Sequence, residues 1–97
     1  MSYPIYVPQI GNELAEAINE EIARARKKFP ENRHKLAALV EEVGELAQAL
    51  LDHERGDGSI NDIRKEAIQV AAMAIRIYSE GDSDFPKYAA RALEAGR

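Results

Sequence analysis

The chain contains no cysteine, so neither a disulfide framework nor a thiolate zinc site can be built from it. Its two histidines are too few for a histidine-based metal centre. Aromatic residues make up only 6% of the sequence, and no apolar run approaches the ~20 residues needed to span a membrane. Basic charge is in the minority: 13 Lys and Arg stand against 17 Asp and Glu. The resulting net charge of −4 argues against a nucleic-acid backbone as partner. Met1 to Ile10 holds no basic residue and two prolines, which is unlike a signal peptide, so the expected location is cytoplasmic. What is present suits a helical protein: alanine and glutamate are prominent, with 45% hydrophobic and 31% charged residues. The 97 residues make one small domain, 1–97, whose core is marginal alone. Burial against a second subunit would help it.

The chain reads as an all-α, four-helix protein. Residues 1–11 (MSYPIYVPQIG), broken by Pro4 and Pro8, form an extended arm whose Tyr3, Ile5, Tyr6, Val7 and Ile10 are expected to pack on the bundle or on a partner subunit. Asn12 is the expected N-cap of a first helix reaching about Lys28, with Leu14, Ala17, Ile18, Ile22, Ala25 and Phe29 in helical period. Its acidic start and basic end complement the helix dipole. Pro30 ends it, and Asn32 is the expected cap of a second helix from about Arg33 to His53. Ser59 and Asp62 resemble a capping box for a third helix, from about Ile60 to Ser79, which Gly81 stops. Asp82 or Ser83 is expected to cap a short fourth helix, Phe85 to Ala95, with Pro86 in its first turn. Phe85, Tyr88, Ala89 and Leu93 would cover the end of the bundle. His34 and His53 read as exposed helix-end residues.

The second helix carries Leu36, Leu39, Val40, Val43, Ala47 and Leu50 on one stripe, and beside it Glu42 and Glu45, three residues apart and therefore neighbours on the surface. Two anionic groups at that spacing repel unless a cation or a proton sits between them. Ala38 and Ala49 flank them, and Gly44 costs about 1 kcal/mol of helix propensity there, which suggests a close approach by a backbone or a ligand. The third helix repeats the arrangement with Glu66 and Gln69 at the same angle to its apolar stripe. Helices joined by a short turn pack antiparallel, so the two patches are expected to face one another across a bundle. Glu42, Glu45 and Glu66 would then suit a hard cation such as Mg²⁺ or Mn²⁺. Taken singly, each glutamate is more simply a solvated residue.

Glu41-Glu42-Val43-Gly44-Glu45-Leu46 resembles the first signature of the MazG-like, all-α nucleoside triphosphate pyrophosphohydrolases, in which Glu-x-x-Glu is followed on the next helix by Glu-x-x-Asp. Glu66 and Gln69 occupy the second motif, with glutamine in place of the family's aspartate. The resemblance implies a four-helix MazG-like bundle completed as a homodimer or homotetramer. It also implies Mg²⁺-dependent cleavage of a nucleoside triphosphate to monophosphate and pyrophosphate. On that pattern Glu42, Glu45, Glu66 and Gln69 are the metal set, and Glu41 is the base that deprotonates the attacking water. Lys35, two turns before Glu42, and Arg76, two turns after Gln69, would reach phosphate. Gln69 keeps one ligand oxygen but removes a charge. That departure leaves two alternatives: a nucleotide-binding protein without turnover, and a non-enzymatic helical interaction module.

Overall fold

The computed structural model describes residues 10–95, and within them the chain is all-helical, with four helices and no strand. The expected arm, apart from Ile10 and Gly11, lies outside the described residues, as does the side chain of Leu93. The helices are α1 (Asn12–Lys28), α2 (Lys35–Glu54), α3 (Ile60–Glu80) and α4 (Pro86–Ala95). Among the described residues, no helix is long and apolar enough to cross a membrane.

α3 is the central element, packed against α2, α1 and α4. Ile18, Ile22 and Ala25 form the buried face of α1, at the spacing of successive helical turns. Ile18 and Ile22 meet Ala72 of α3, with Ile68 and Ala71 beside them. The rest of the core is made of alanines: Ala49 on α2 and Ala92 on α4. Leu14 and Phe29, at the two ends of the predicted α1 stripe, remain exposed.

Two predicted boundaries hold because their codes are local. Ser59 accepts a hydrogen bond from the Asp62 N–H (3.1 Å) while Asp62 accepts one from the Ser59 N–H (3.1 Å), which starts α3. Gly81 stops it with φ 73° and ψ −164°, a backbone region essentially restricted to glycine. A Cβ at Gly81 would also lie 2.7 Å from the Ala89 Cα. Gly81 is thus what lets α4 lie on the end of α3, and the contact is made by Ala89 and Ala92. Phe85 and Tyr88, expected to cover that end, stay exposed because the backbones meet too closely for large side chains between them. Gly81→Ala should lower the folding free energy by about 2 kcal/mol or more from backbone strain and contact together. A urea midpoint equal to wild type would contradict this.

The other caps differ from expectation. Gly11, not Asn12, is the N-cap of α1, and no side chain caps it. α2 starts at Lys35, two residues beyond Arg33, after His34 in a left-handed conformation (φ 61°). Its free N–H groups are served from a distance: Leu36 N–H donates to Asp82 Oδ2 (3.0 Å) and His34 N–H to Asp84 Oδ2 (3.1 Å). Asn32 is drawn away from the helix start, accepting from the Lys35 ammonium and donating to the Glu80 carbonyl (3.2 Å). Asp82 therefore caps α2 rather than α4, and α4 starts with Pro86 at its first position.

α2 leaves most of its predicted stripe without a partner among the described residues; Leu39 alone of that stripe is half-buried. At about 100° per residue, Leu36, Val40, Val43, Ala47 and Leu50 fall within roughly 80° of arc. All five are exposed, Val40 by 63%. Lys35, Glu42 and Ala49 lie about 120° round the helix, and Lys35 and Ala49 are buried with Glu42 half-buried beside them. Nothing in the described chain comes within 4 Å of a Cβ placed on Gly44, so no internal approach explains that glycine.

Candidate functional site

The antiparallel packing of α2 on α3 brings Glu42, Glu45 and Glu66 together, as the matched spacing predicts. One carboxylate oxygen from each lies within 4.8 Å of the other two. Gln69 sits at the edge of the group. With its amide nitrogen turned inward it donates to Glu42 Oε2 (2.9 Å) and Glu66 Oε2 (2.8 Å). With its oxygen inward it would add a fourth oxygen to the same point.

Three carboxylates so close disfavour full ionisation. Burial, and then the charge and shared proton of Glu45, push the Glu42 carboxyl up to about 7, with Glu66 and Glu41 adding to the effect. Burial and Glu45 raise Glu66 in the same direction. The cluster therefore holds a proton, or accepts a cation, at a pH where separate glutamates would be fully charged. Its donors are all hard oxygens, the set that Mg²⁺ and Mn²⁺ prefer, so these residues fit such an ion. Glu41 is exposed, on the same wall as Glu42. Asp62, one turn before Glu66, is engaged in the α3 cap and stands outside the three-carboxylate group.

The cluster lines a groove of about 910 Å³ between α2, α3 and the end of α1. From Lys35 to Glu45 the wall follows about 15 Å of α2. Lys35 and Arg76 both line it, but each is almost wholly buried and already engaged. Lys35 Nζ donates to the Gly81 carbonyl (2.9 Å) and lies 3.8 Å from Glu80, while Arg76 donates twice to Glu80 (3.3 and 3.2 Å). Arg26 reaches the same carboxylate (2.9 Å). Burial raises the Glu80 carboxyl, but its arginine partners outweigh that and hold it below the usual range. Three cations, Lys35, Arg26 and Arg76, thus gather about Glu80 at this end, whereas carboxylates gather at the other.

The sequence reading missed the α1 side of the groove. Lys28, Phe29 and Arg33 line it, with Lys65 of α3 facing in beside Glu66. The signal was the basic run ending α1, most of whose charges helix-dipole complementarity already explains. His34 is exposed at the start of α2, its Nδ1 2.8 Å from Asp84, and His53 is exposed near the end of that helix, as expected.

The carboxylate group and the groove rest on this chain's own residues and geometry. No protein-family model, curated protein or solved structure matches the chain.

Proposed function

We propose that this chain is a MazG-like nucleotide pyrophosphohydrolase that converts a nucleoside triphosphate to its monophosphate and pyrophosphate. The observation that carries the reading is the convergence of Glu42, Glu45 and Glu66 from two facing helices in a groove that Arg24, Lys28, Arg33 and Lys65 also line. Magnesium bound by that set would neutralise phosphate charge and orient the reacting group. Glu42, Glu45 and Glu66 would hold it, and Gln69 would complete the set through its amide oxygen. Glu41, exposed and adjacent, would take the proton of the attacking water. Lys35 and Arg76 would act on phosphate mainly through the field of their buried cluster, and Lys65 by direct contact. Such nucleotide-pool chemistry belongs in the cytoplasm. Pyrophosphate release from a panel of ribo- and deoxyribonucleoside triphosphates, with Mg²⁺, Mn²⁺ or EDTA, tests the reading. Metal-dependent release with matching monophosphate is expected, and no release from any substrate would refute it.

A second reading is favoured by Gln69, whose amide can satisfy Glu42 and Glu66 without any metal. It makes the protein a nucleotide binder that has lost turnover, and calorimetric binding without pyrophosphate release would select it.

The α2 stripe supports self-association. Leu36, Val40, Val43, Ala47 and Leu50 recur at alternating spacings of four and three, the pattern of a two-helix seam. On this reading the homodimer or homotetramer is joined through α2, and Val40→Glu should reduce the mass in light scattering to that of the monomer while retaining helical circular dichroism. An unchanged mass would exclude this face as the contact.

A further inference from the structure

We infer that Phe29 is the stacking platform for the nucleobase, so that the end of α1 reads the nucleoside while α2 and α3 handle the phosphates. This rests on the pyrophosphohydrolase reading of the groove. Phe29 is 59% exposed yet lines the groove, whereas the other exposed aromatic rings among the described residues, Tyr78, Phe85 and Tyr88, do not. It contributes nothing to the core that Ile18, Ile22 and Ala72 build, so burial does not account for it. Its position is nevertheless fixed. The Phe29 N–H donates to the Ala25 carbonyl (2.7 Å), and the following Pro30 disfavours a helical backbone at Phe29, which sits at φ −128° and ψ 77°. The ring is held on a helix end rather than on a free loop.

Lys28 Nζ stands 5.3 Å from the ring centroid, which covers one face and leaves the rest of the exposed ring open for a flat partner. Among the described residues the other aromatic ring on the groove wall is that of His34, which is tied to Asp84. Three carboxylates and one ion use a fraction of 910 Å³, and the remaining space is bounded by Phe29, Pro30, Ala37 and Met73 beside the cations. A triphosphate alone has no use for that apolar surface, but a base does. Base–aromatic stacking tolerates any base, which fits a wall that offers a ring without a fixed hydrogen-bonding partner for one base edge.

The test compares binding, by calorimetry with Mg²⁺, of the α,β-methylene analogues of ATP, GTP, CTP and UTP with that of inorganic tripolyphosphate. The wild type should bind at least one analogue about tenfold more tightly than tripolyphosphate, and Phe29→Ala should remove that preference without weakening tripolyphosphate. Because the chain has no tryptophan, Phe29→Trp supplies a single reporter whose fluorescence should be quenched by the analogue and not by tripolyphosphate. A preference that survives in Phe29→Ala overturns the inference while leaving the site intact. Binding of neither ligand by the wild type removes the site reading and the inference with it. A Phe29→Trp signal that responds to protein dilution instead of to nucleotide would put the ring in a subunit contact and overturn it as well.

Discussion

Asp82→Ala is expected to melt roughly 15 °C below the wild type at neutral pH. Asp82 is 2% exposed and ties three parts of the fold together. One carboxylate oxygen accepts from the Leu36 N–H at the start of α2, and the other accepts from the Asp84 N–H (2.9 Å) ahead of α4. Lys35, equally buried, lies near enough for the two charges to influence each other. Removing the carboxylate strands a helix-terminal N–H and takes a counter-charge from a lysine that cannot reach water. Breaking such a buried pair on one side costs about 3 kcal/mol. The pH dependence follows from the same contacts. Burial raises the Asp82 carboxyl, but the N–H groups of Asp84, Leu36 and Lys35 and the Lys35 charge together bring it below its ordinary value of 3.8. A lowered carboxyl contributes stability above that value and loses it as pH falls through the folded-state value. The melting difference should therefore shrink in strong acid, while Asp82→Asn, which keeps an acceptor, should lose less at neutral pH. Near-identical neutral melts of Asp82→Ala and wild type, at one protein concentration, would show that α2 is capped otherwise.

Asp82 also shows where the sequence ceases to be legible. Ser59 with Asp62, Gly81 and Pro86 act on their own neighbours, so their roles could be read directly. Asn12, Asn32 and Asp82 all carry side chains suited to capping, and which helix end each serves is settled by tertiary approach. Lys35 looks like a surface cation in the sequence, because Glu80 and Asp82 reach it only when the end of α3 meets the start of α2, whereas Arg76 pairs with Glu80 one turn on in α3 and owes only its burial to packing. Periodicity found the α2 stripe but carries no information on what faces it. The helix buries Lys35 and Ala49, half-buries Leu39 and Leu46, and leaves Leu36, Val40, Val43, Leu50 and Leu51 outward. At the site, Glu42, Glu45 and Glu66 were legible because one spacing recurs on two helices joined by a short turn. Phe29 and Lys28 were not, since their place on the groove depends on how α1 crosses α3.

Glu42→Gln should make the protein more stable without metal and inactive with it. In EDTA, the raised Glu42 carboxyl contributes its full stability below the ordinary 4.5, and that contribution is lost as pH rises through about 7. The wild type should therefore lose melting temperature from pH 4.5 to 8, and Glu42→Gln, with no charge to desolvate beside Glu45 and Glu66, should lose less and melt higher at pH 8. Adding Mg²⁺ at pH 8 should raise the wild type, by about 2.7 kcal/mol at a hundred times the dissociation constant, and leave the variant nearly unmoved. Turnover should fall at least a hundredfold, since groups that merely orient metal ligands already cost ten- to a hundredfold when replaced. The two signs together are what discriminate. A glutamate on a solvated helix face would alter neither melt nor metal response, and a glutamate that held the fold together would lower the melt on removal. Only a residue that strains the empty fold in order to hold a cation gains stability and loses activity in one substitution. A Glu42→Gln protein that still releases pyrophosphate with Mg²⁺ at the wild-type rate would sink the assignment of the metal set.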